Sequence, residues 1–424
     1  MEGQVGQIAF GPFCMDLDGG RLLRDGCALD LRPQAFQALR ALIQNCGRHV
    51  DYEQMIHQAW DGAFVSRHTV AVTVGEAKRA LREYGAWIHY RPKLGYRLEI
   101  PIAEELIRKG SHFAQRHTRD GFERALECFQ AAAGADSADF RAFQGMAQCY
   151  LKLGALGLRP PLDMYPRFLE AHREAAAREG LTAELRADWA HALHIFERRA
   201  AEAETELLQA AKDAPLWAPI HGSLFLLYVS TRRFDQAEAA LAGACAADPL
   251  WPLLLSLEVF LRLCKREFES AVTAGKKAVD LHPYFPLGRF FLGYALQQAG
   301  QLCAAIEQFR LAQIMSPDSD RFRTHEATCL ARAGKRAQAE RILEELEGLR
   351  RRDYVDAYNM AVPYFALGRK DRAFHELERA CEENSATLFA LDVDPKMDPL
   401  RRDPRFQRIL RRVFCSQEAI AAEG

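Results

Sequence analysis

The spacing of hydrophobic and polar residues changes at about residue 33 of the 424-residue chain. Before this point, short runs of alternating character, QIAF, FCMD and RLLR, are separated by Gly-Gly and Asp-Gly pairs that are typical of hairpin turns. After Pro33, the apolar residues Phe36, Leu39 and Leu42 recur at helical spacing. The pattern predicts a small antiparallel sheet over residues 7–31 and a helix that begins at Pro33.

Two further helices and a hairpin are predicted before residue 100. One helix is expected from about Asp51 to Trp60, and Ser66 is a suitable N-cap for the next. The apolar positions of this third helix keep helical spacing and are Val70, Val74, Ala77 and Leu81. Strand signals at 87–90 and 96–100, with a turn at 92–95, predict a hairpin after it.

The chain beyond Pro101 has helical spacing and a 34-residue repeat. Alanines that lie 34 residues apart are Ala203, Ala237, Ala271, Ala305, Ala339 and Ala373. Prolines with the same spacing are Pro215, Pro249, Pro283 and Pro317, and glycines are Gly300, Gly334 and Gly368. This is the period of the tetratricopeptide repeat, in which two antiparallel helices cross at a small residue.

The repeats set the expected domain boundaries. About eight helix pairs are predicted, with an insertion of about ten residues near 154–166. The expected domains are an α+β unit over 1–102, an all-α repeat solenoid over 103–392 and a non-repeat tail over 393–424. Side chains expected to line a partner groove on the first helices are Phe290, Tyr294, Gln297, Tyr358, Val362 and Phe365.

Charge changes this picture only locally. The net charge of the whole chain is -1, so its overall field does not favour nucleic acid. Between Ser66 and Leu98, seven Lys and Arg residues oppose only Glu76 and Glu83. This basic patch on the third helix and hairpin is suited to phosphate contacts, although such patches are often only solvated surface.

Other chemistry finds little support in the sequence. Asp188, His191 and His194 have a spacing that metal ligands use, but ordinary repeat-helix histidines are the favoured interpretation. There is no phosphate-binding glycine loop or hydrolase motif, so we expect neither an enzyme nor a cofactor. Eleven cysteines without a CxxC pair, and no signal peptide or apolar span, lead us to expect a cytoplasmic protein.

Residues 7–100 resemble the OmpR/PhoB-type winged-helix DNA-binding domain, including the sheet that precedes the first helix. The residues that carry this resemblance are Leu31-Arg32-Pro33, Trp60, Val65 to Thr69, Lys78 to Leu81 and Gly95-Tyr96-Arg97. A winged helix followed by a tetratricopeptide arm is similar to the receiver-less, HilA-like branch. The resemblance implies a bacterial one-component transcriptional regulator that binds double-stranded DNA. Because the family tends to bind direct repeats, we expect such sites here.

The resemblance also implies roles for individual residues. Base edges are expected to meet Thr73, Glu76 and Arg79 or exposed neighbours. Residues expected near the DNA backbone are Trp60, Arg67, Thr69, Lys78 and Arg82, and those of the wing hairpin are Arg91, Lys93 and Arg97. Gly75 and Glu76 depart from the family, in which many relatives have basic residues here.

Two functions remain open at this point. In the first, the winged helix binds promoter DNA, and the repeat arm controls homodimerisation or responds to a protein or a small molecule. In the second, the chain is a tetratricopeptide adaptor whose winged helix is a protein interface that does not bind DNA. Glu76 and the near-zero charge of residues 1–102 keep the second interpretation open.

Overall fold

The computed structural model describes residues 7–10, 13–24, 27–249 and 251–414. These residues form two compact units. The first holds the described residues up to Ser111 together with Ala131–Ser137, and the second holds His112–Gln130 with the described residues from Ala138 onward.

The first unit begins with a four-stranded antiparallel sheet. Its strands follow chain order and are β1 Gln7–Phe10, β2 Phe13–Asp16, β3 Arg21–Arg24 and β4 Cys27–Leu29. Side chains alternate between the two faces of each strand, so Phe13, Met15 and Leu22 all turn into the core. This is the sheet expected from the alternating runs before residue 33.

Three helices and a second sheet complete this unit. The helices are α1 Pro33–Gln44, α2 Tyr52–Trp60 and α3 Arg67–Ala80, and the strands are β5 His49–Val50, β6 Ile88–Arg91 and β7 Gly95–Leu98. The strand order is β5-β7-β6. The sequence pattern did not reveal β5, because two residues are too short to show an alternation.

Helices continue through the rest of the described chain. Their bounds are α4 Ile102–Ala114, α5 Arg119–Ala135, α6 Phe140–Ala155, α7 Pro161–Glu179, α8 Ala183–Ala192, α9 Ala200–Asp213, α10 Ala218–Ser230, α11 Phe234–Ala247, α12 Pro252–Cys264, α13 Phe268–Leu281, α14 Pro286–Gln298, α15 Leu302–Met315, α16 Asp320–Arg332, α17 Arg336–Arg350, α18 Ala357–Ala366, α19 Lys370–Glu382 and α20 Pro404–Phe414. A π-turn at Leu193–Glu197 extends α8.

From α6 to α19 these helices form antiparallel pairs. The six alanines with 34-residue spacing lie in the second helices of the last six pairs, and each is 0% exposed. A side chain larger than alanine at these positions would therefore separate the two helices of its pair. The extra length predicted near 154–166 lies in α6 and α7, which have 16 and 19 residues, against 13 and 14 in α10 and α11.

The turn inside each of these six pairs has a left-handed residue at one fixed repeat position. In the last three pairs it is Gly300, Gly334 and Gly368, with φ of 78 to 79°. In the first three it is Arg198, Arg232 and Arg266, with φ of 56 to 62°. A non-glycine residue in this conformation costs about 1 kcal/mol, so the three arginines need an explanation.

That explanation is the segment from Asn384 to Leu400, which we call the C-terminal segment. The guanidinium of Arg198 donates to the carbonyl oxygen of Ser385 at 3.2 Å. Arg266 donates to the carbonyl oxygen of Val393 at 2.7 Å and, through Nε, to the Asp398 carboxylate at 3.0 Å. Arg232 lies between them in the repeat, and among the described residues its one charged partner is Asp392, at 3.5 Å. Side chains with 34-residue spacing thus bind a single continuous segment of the chain.

The C-terminal segment lies against the first helices of the pairs, which form what we call the inner surface of the arm. Its short 3-10 helices are Ala386–Ala390 and Pro395–Leu400. Asp394 accepts hydrogen bonds from the hydroxyls of Tyr294 and Tyr358. Asp356, at the start of α18, accepts from Ser385 Oγ at 2.8 Å and from Thr387 Oγ1 at 2.9 Å.

This arrangement changes the expectation of an open partner groove. Five of the six residues expected to line it are buried: Phe290, Tyr294, Gln297, Tyr358 and Val362, all at most 9% exposed. The sixth, Phe365, is half-buried. Packing and the protein's own C-terminal segment cover them, so the prediction that they present a free groove is wrong.

The boundary expected at 392 also divides this segment, which begins to contact the inner surface at Asn384.

Arg266 and Arg232 occupy the same repeat position but differ in their contacts with the C-terminal segment, so substituting each one tests what those contacts contribute. We expect Arg266→Ala to lower the free energy of unfolding of the arm by about 2 to 3 kcal/mol, because several charged hydrogen bonds to the segment are lost. Arg232→Ala, which removes only an exposed ion pair, should change it by about 0.5 kcal/mol or less. Urea unfolding and amide exchange of residues 384–400 measure both. Equal effects of the two substitutions would contradict this account.

Candidate nucleic-acid interface

Helix α3 has one buried side and one exposed side. Ser66 caps its start by accepting the backbone N–H of Thr69 at 3.1 Å, and Val70, Val74 and Ala77 pack into the core. The exposed residues of the other side are Arg67, His68, Thr69, Ala71, Val72 and Arg79. This surface carries apolar, polar and basic side chains. The major groove of DNA is wide enough to admit an α-helix with such a surface.

The β6–β7 hairpin stands beside α3. Tyr90 pairs with Tyr96 across the strands, with ring centroids 5.0 Å apart, and the turn between them exposes Arg91 and Lys93. Gly95 has φ of +93°, and a Cβ there would overlap the carbonyl oxygen of Val50 in β5. Only glycine lets β7 lie this close to β5, and this contact fixes the direction of the hairpin.

A groove of about 870 Å³ lies between α3 and the hairpin. Three cations line it, Arg67, Lys78 and Lys93, together with two carboxylates, Asp51 at the N-cap of α2 and Glu53 in its first turn. The Arg67 guanidinium stacks over the Tyr52 ring at 5.0 Å, which holds its side chain in place. The groove is therefore suited to a phosphate backbone, because its negative charges can be bound by cations without precise hydrogen-bond geometry.

Two of the residues expected to meet base edges have other roles. Thr73 is 6% exposed and faces the core of the unit, so the prediction that it meets a base is wrong. The Glu76 carboxylate accepts hydrogen bonds from Arg32, whose Nε lies 2.8 Å from Oε1. The same interaction lowers the pKa of Glu76 below its ordinary value. Only Arg79 of the three is exposed and free to reach a base.

The other expected contact residues divide into two groups. Arg82, Arg91, Lys93 and Thr69 are exposed, and Lys78 is half-buried beside the groove. Trp60 packs half-buried against the core, and Arg97 pairs with Glu99. We therefore regard Trp60 and Arg97 as supports for the fold more than as groups that contact a ligand.

Sequence reasoning overlooked three residues on the exposed side of α3. His68, Ala71 and Val72 are all exposed, and Val72 retains 45% of its accessible surface although it is apolar. The signal was available in the sequence. Once Val70, Val74 and Ala77 are placed inward, the helical period of 3.6 residues directs Val72 outward and Thr73 toward the core.

A comparison with known families decides the nature of this unit. Residues 26–98 match the family model described as "Transcriptional regulatory protein, C terminal". This segment is an OmpR/PhoB-type winged-helix domain. The match begins at β4 and ends with β7, and so includes α3, the wing hairpin and the groove between them. Among curated protein sequences, none matches the chain as a relative.

Solved structures extend the comparison to the helical repeats. The chain is similar to "Crystal structure of APC/C hetero-tetramer Cut9-Hcn1", with TM-score 0.51, 12% identity and coverage of 90% of this chain and 72% of that one. It is also similar to "IFIT1 monomeric mutant (L457E/L464E) with Gppp-AAAA", with TM-score 0.50, 16% identity and 90% coverage of both chains. These likenesses concern the fold alone. The predicted fold class, a winged helix followed by a tetratricopeptide-type repeat region, is confirmed.

His191 of α8 and His194 of the π-turn that follows it have partners within the repeat region. His194 Nε2 lies 2.8 Å from Ser230 Oγ, His191 Nδ1 lies 3.4 Å from Ser223 Oγ, and Asp188 accepts from Gln148 at 3.0 Å. Within the described ranges, no group of three potential ligands is arranged to hold a metal ion. No described helix combines the length and the apolar character needed to span a bilayer.

The Arg32–Glu76 pair gives a pH-dependent prediction for the winged helix. Because the folded pKa of Glu76 lies below its ordinary 4.5, ionised Glu76 stabilises the fold above pH 4.5, and this contribution is lost as pH falls through the folded value. Arg32 is 69% exposed, so we expect Glu76→Gln to cost about 1 kcal/mol or less at pH 7.

Unfolding measured from pH 3 to pH 7 tests this expectation. The difference between wild type and Glu76→Gln should be constant at neutral pH and should disappear at the acid end. A difference that does not change with pH would show that the charge of Glu76 contributes nothing. Glu53→Gln, at an exposed position on α2 in the same unit, serves as the control.

Proposed function

We propose that this protein is a sequence-specific, DNA-binding transcriptional regulator whose repeat arm controls its activity. The observation that carries the proposal is the groove between α3 and the wing, with Arg67, Lys78 and Lys93 in its walls, in a segment that matches a transcriptional-regulator family. The fold positions these cations together although the whole chain is almost neutral.

In this proposal α3 lies in the major groove of DNA. Its exposed residues His68, Ala71, Val72 and Arg79 face base edges, Val72 with an apolar contact such as a thymine methyl offers. The backbone of one strand passes between α3 and the hairpin, and Arg91 and Lys93 reach the neighbouring minor groove. Thr73 and Glu76 support the helix from its inner side.

We further propose that two copies bind together. A single winged helix with so few phosphate contacts binds DNA weakly, and two copies on direct repeats gain affinity through their effective concentration. The arm is the larger unit and supplies the surface for self-association. Light scattering of the full chain with and without DNA measures this, and a protein that stays monomeric on a direct-repeat site contradicts it.

Salt dependence tests phosphate contact by the wing. Anisotropy titrations with promoter DNA from the gene's own neighbourhood should give a log-log slope of several units between about 50 and 200 mM salt. Arg91→Ala with Lys93→Ala should lower the slope by about one to two units. Arg21→Ala, an exposed cation of β3, should leave it unchanged. No binding at about 50 mM salt overturns the proposal.

A pair of neighbouring substitutions tests base recognition by α3. Arg79→Ala should weaken binding to the preferred site by about 1 to 3 kcal/mol and reduce discrimination against altered sites. Thr73→Val, at a buried position of nearly equal volume, should leave both properties unchanged. The same loss for all DNA sequences with Arg79→Ala would assign this residue to the backbone instead.

One observation favours a second candidate, a tetratricopeptide adaptor. Phe64, in the loop before α3, is 95% exposed, and Val72 is close to it in the chain. Exposed apolar side chains on a small domain are found at protein interfaces. Phe64→Ser separates the two candidates, because it should leave DNA binding intact in the regulator and should abolish partner capture in the adaptor.

A further inference from the structure

A cavity of about 160 Å³ lies between the inner surface of the repeat arm and the C-terminal segment. Its lining comes from first helices between α6 and α18 and from residues between Thr387 and Lys396. A cavity of about 150 Å³ holds a benzene-sized molecule, so this one has room for a small organic compound.

Most of this wall is apolar and aromatic. Phe260 contacts both Phe291 and Phe389, with ring centroids 5.9 and 6.4 Å apart, so rings from two repeats and from the C-terminal segment meet at the cavity. Leu253 and Ile195 extend the apolar surface. An aromatic or aliphatic group is the natural occupant of such a surface.

Two cations also face the cavity. Lys152 of α6 is half-buried there, and Arg321 of α16 donates through Nη2 to the carbonyl oxygen of Leu156 at 3.0 Å with its guanidinium over the Phe290 ring. Within the described part of the chain, neither forms an ion pair with a carboxylate. Lys396, also at the cavity, differs because its Nζ lies 3.3 Å from Asp394.

Carboxyl groups act on these two cations without pairing with them: Asp188 on Lys152, and Asp356, Asp320 and Asp394 on Arg321. Burial lowers the pKa of both cations. Burial raises the pKa of Asp188, bound to Gln148, to about 7, and that of Asp320, which accepts the backbone N–H of Asp356, also to about 7. These carboxyls are therefore only partly ionised at neutral pH. Burial lowers the pKa of His117 to about 4, so its imidazole is neutral. Among the described residues no carboxylate is in direct contact with Lys152 or Arg321, and a buried cation is stabilised by an anion that pairs with it.

The geometry points to a binding site for a small organic acid, an aromatic or aliphatic monocarboxylate, with the carboxylate on Lys152 and Arg321 and the apolar body against Phe260, Phe291 and Phe389. The role of this site as a sensor rests on the proposed function, because the ligand would then be the signal that the arm receives. Binding itself requires only the arm. Because Thr387, Phe389 and Lys396 line the cavity, the occupant contacts the C-terminal segment directly.

Calorimetry and thermal unfolding of the full chain without DNA test this site. The probes are benzoate, phenylacetate and hexanoate, each paired with its neutral amide, and inorganic phosphate. We expect at least one carboxylate to bind with a dissociation constant below about 1 mM and to raise the melting temperature. Its amide should bind at least about tenfold more weakly, and phosphate, which has no apolar body, should not bind in the cavity.

Two variants and a control locate the binding. Lys152→Met should weaken carboxylate binding at least about tenfold and remove the preference over the amide, with the melting temperature of the free protein preserved. Leu253→Trp, which fills the cavity from a half-buried position, should abolish binding of acid and amide alike. Lys212→Met, at an exposed lysine of α9, should bind as the wild type does.

The outcomes separate this site from the DNA-binding proposal. The site is overturned if no carboxylate binds, or if the acid binds no more tightly than its amide or than phosphate. It is also overturned if binding is unchanged in both Lys152→Met and Leu253→Trp. Carboxylate binding by a protein that does not bind DNA supports the site and overturns the proposed function. DNA binding by a protein that binds no carboxylate supports the proposed function and overturns the site.

Discussion

The repeat arm depends on one constraint, the need to satisfy buried polar groups where the C-terminal segment meets the inner surface. The segment consists of short 3-10 helices and turns, which leave some backbone carbonyls without an internal partner, and each buried group left unpaired costs about 1 to 3 kcal/mol. Arg198 and Arg266 supply partners from left-handed turns, where glycine would be less strained. Asp356 accepts hydrogen bonds from the hydroxyls of Ser385 and Thr387.

This constraint determines which kind of ligand the arm is suited to take. A repeat surface left open would offer its aromatic side chains to a peptide or helix. Here Tyr294 and Tyr358 bind Asp394 of the same chain, and the space that remains is a small cavity with Lys152 and Arg321 in its wall. Its size suits a small molecule.

In the winged helix, one ion pair similarly changes the role of a residue. Glu76 looks unfavourable on a DNA-binding helix because phosphate repels a carboxylate. Its hydrogen bonds with Arg32 direct the carboxylate toward the start of α1 and away from the exposed side of α3. The exposed side is then left to His68, Ala71, Val72 and Arg79.

The sequence by itself determined the order of elements and the repeat period, because hydrophobic spacing, caps and turn residues act over a few neighbouring positions. It therefore predicted the four-stranded sheet, α1 to α3, the hairpin and the 34-residue pairs with their buried alanines. Only the tertiary structure decided that Thr73 faces the core, that Glu76 meets Arg32 and that residues 384–400 cover the inner surface. These are contacts between residues far apart in the chain, such as Arg198 with Ser385, and no local spacing encodes them.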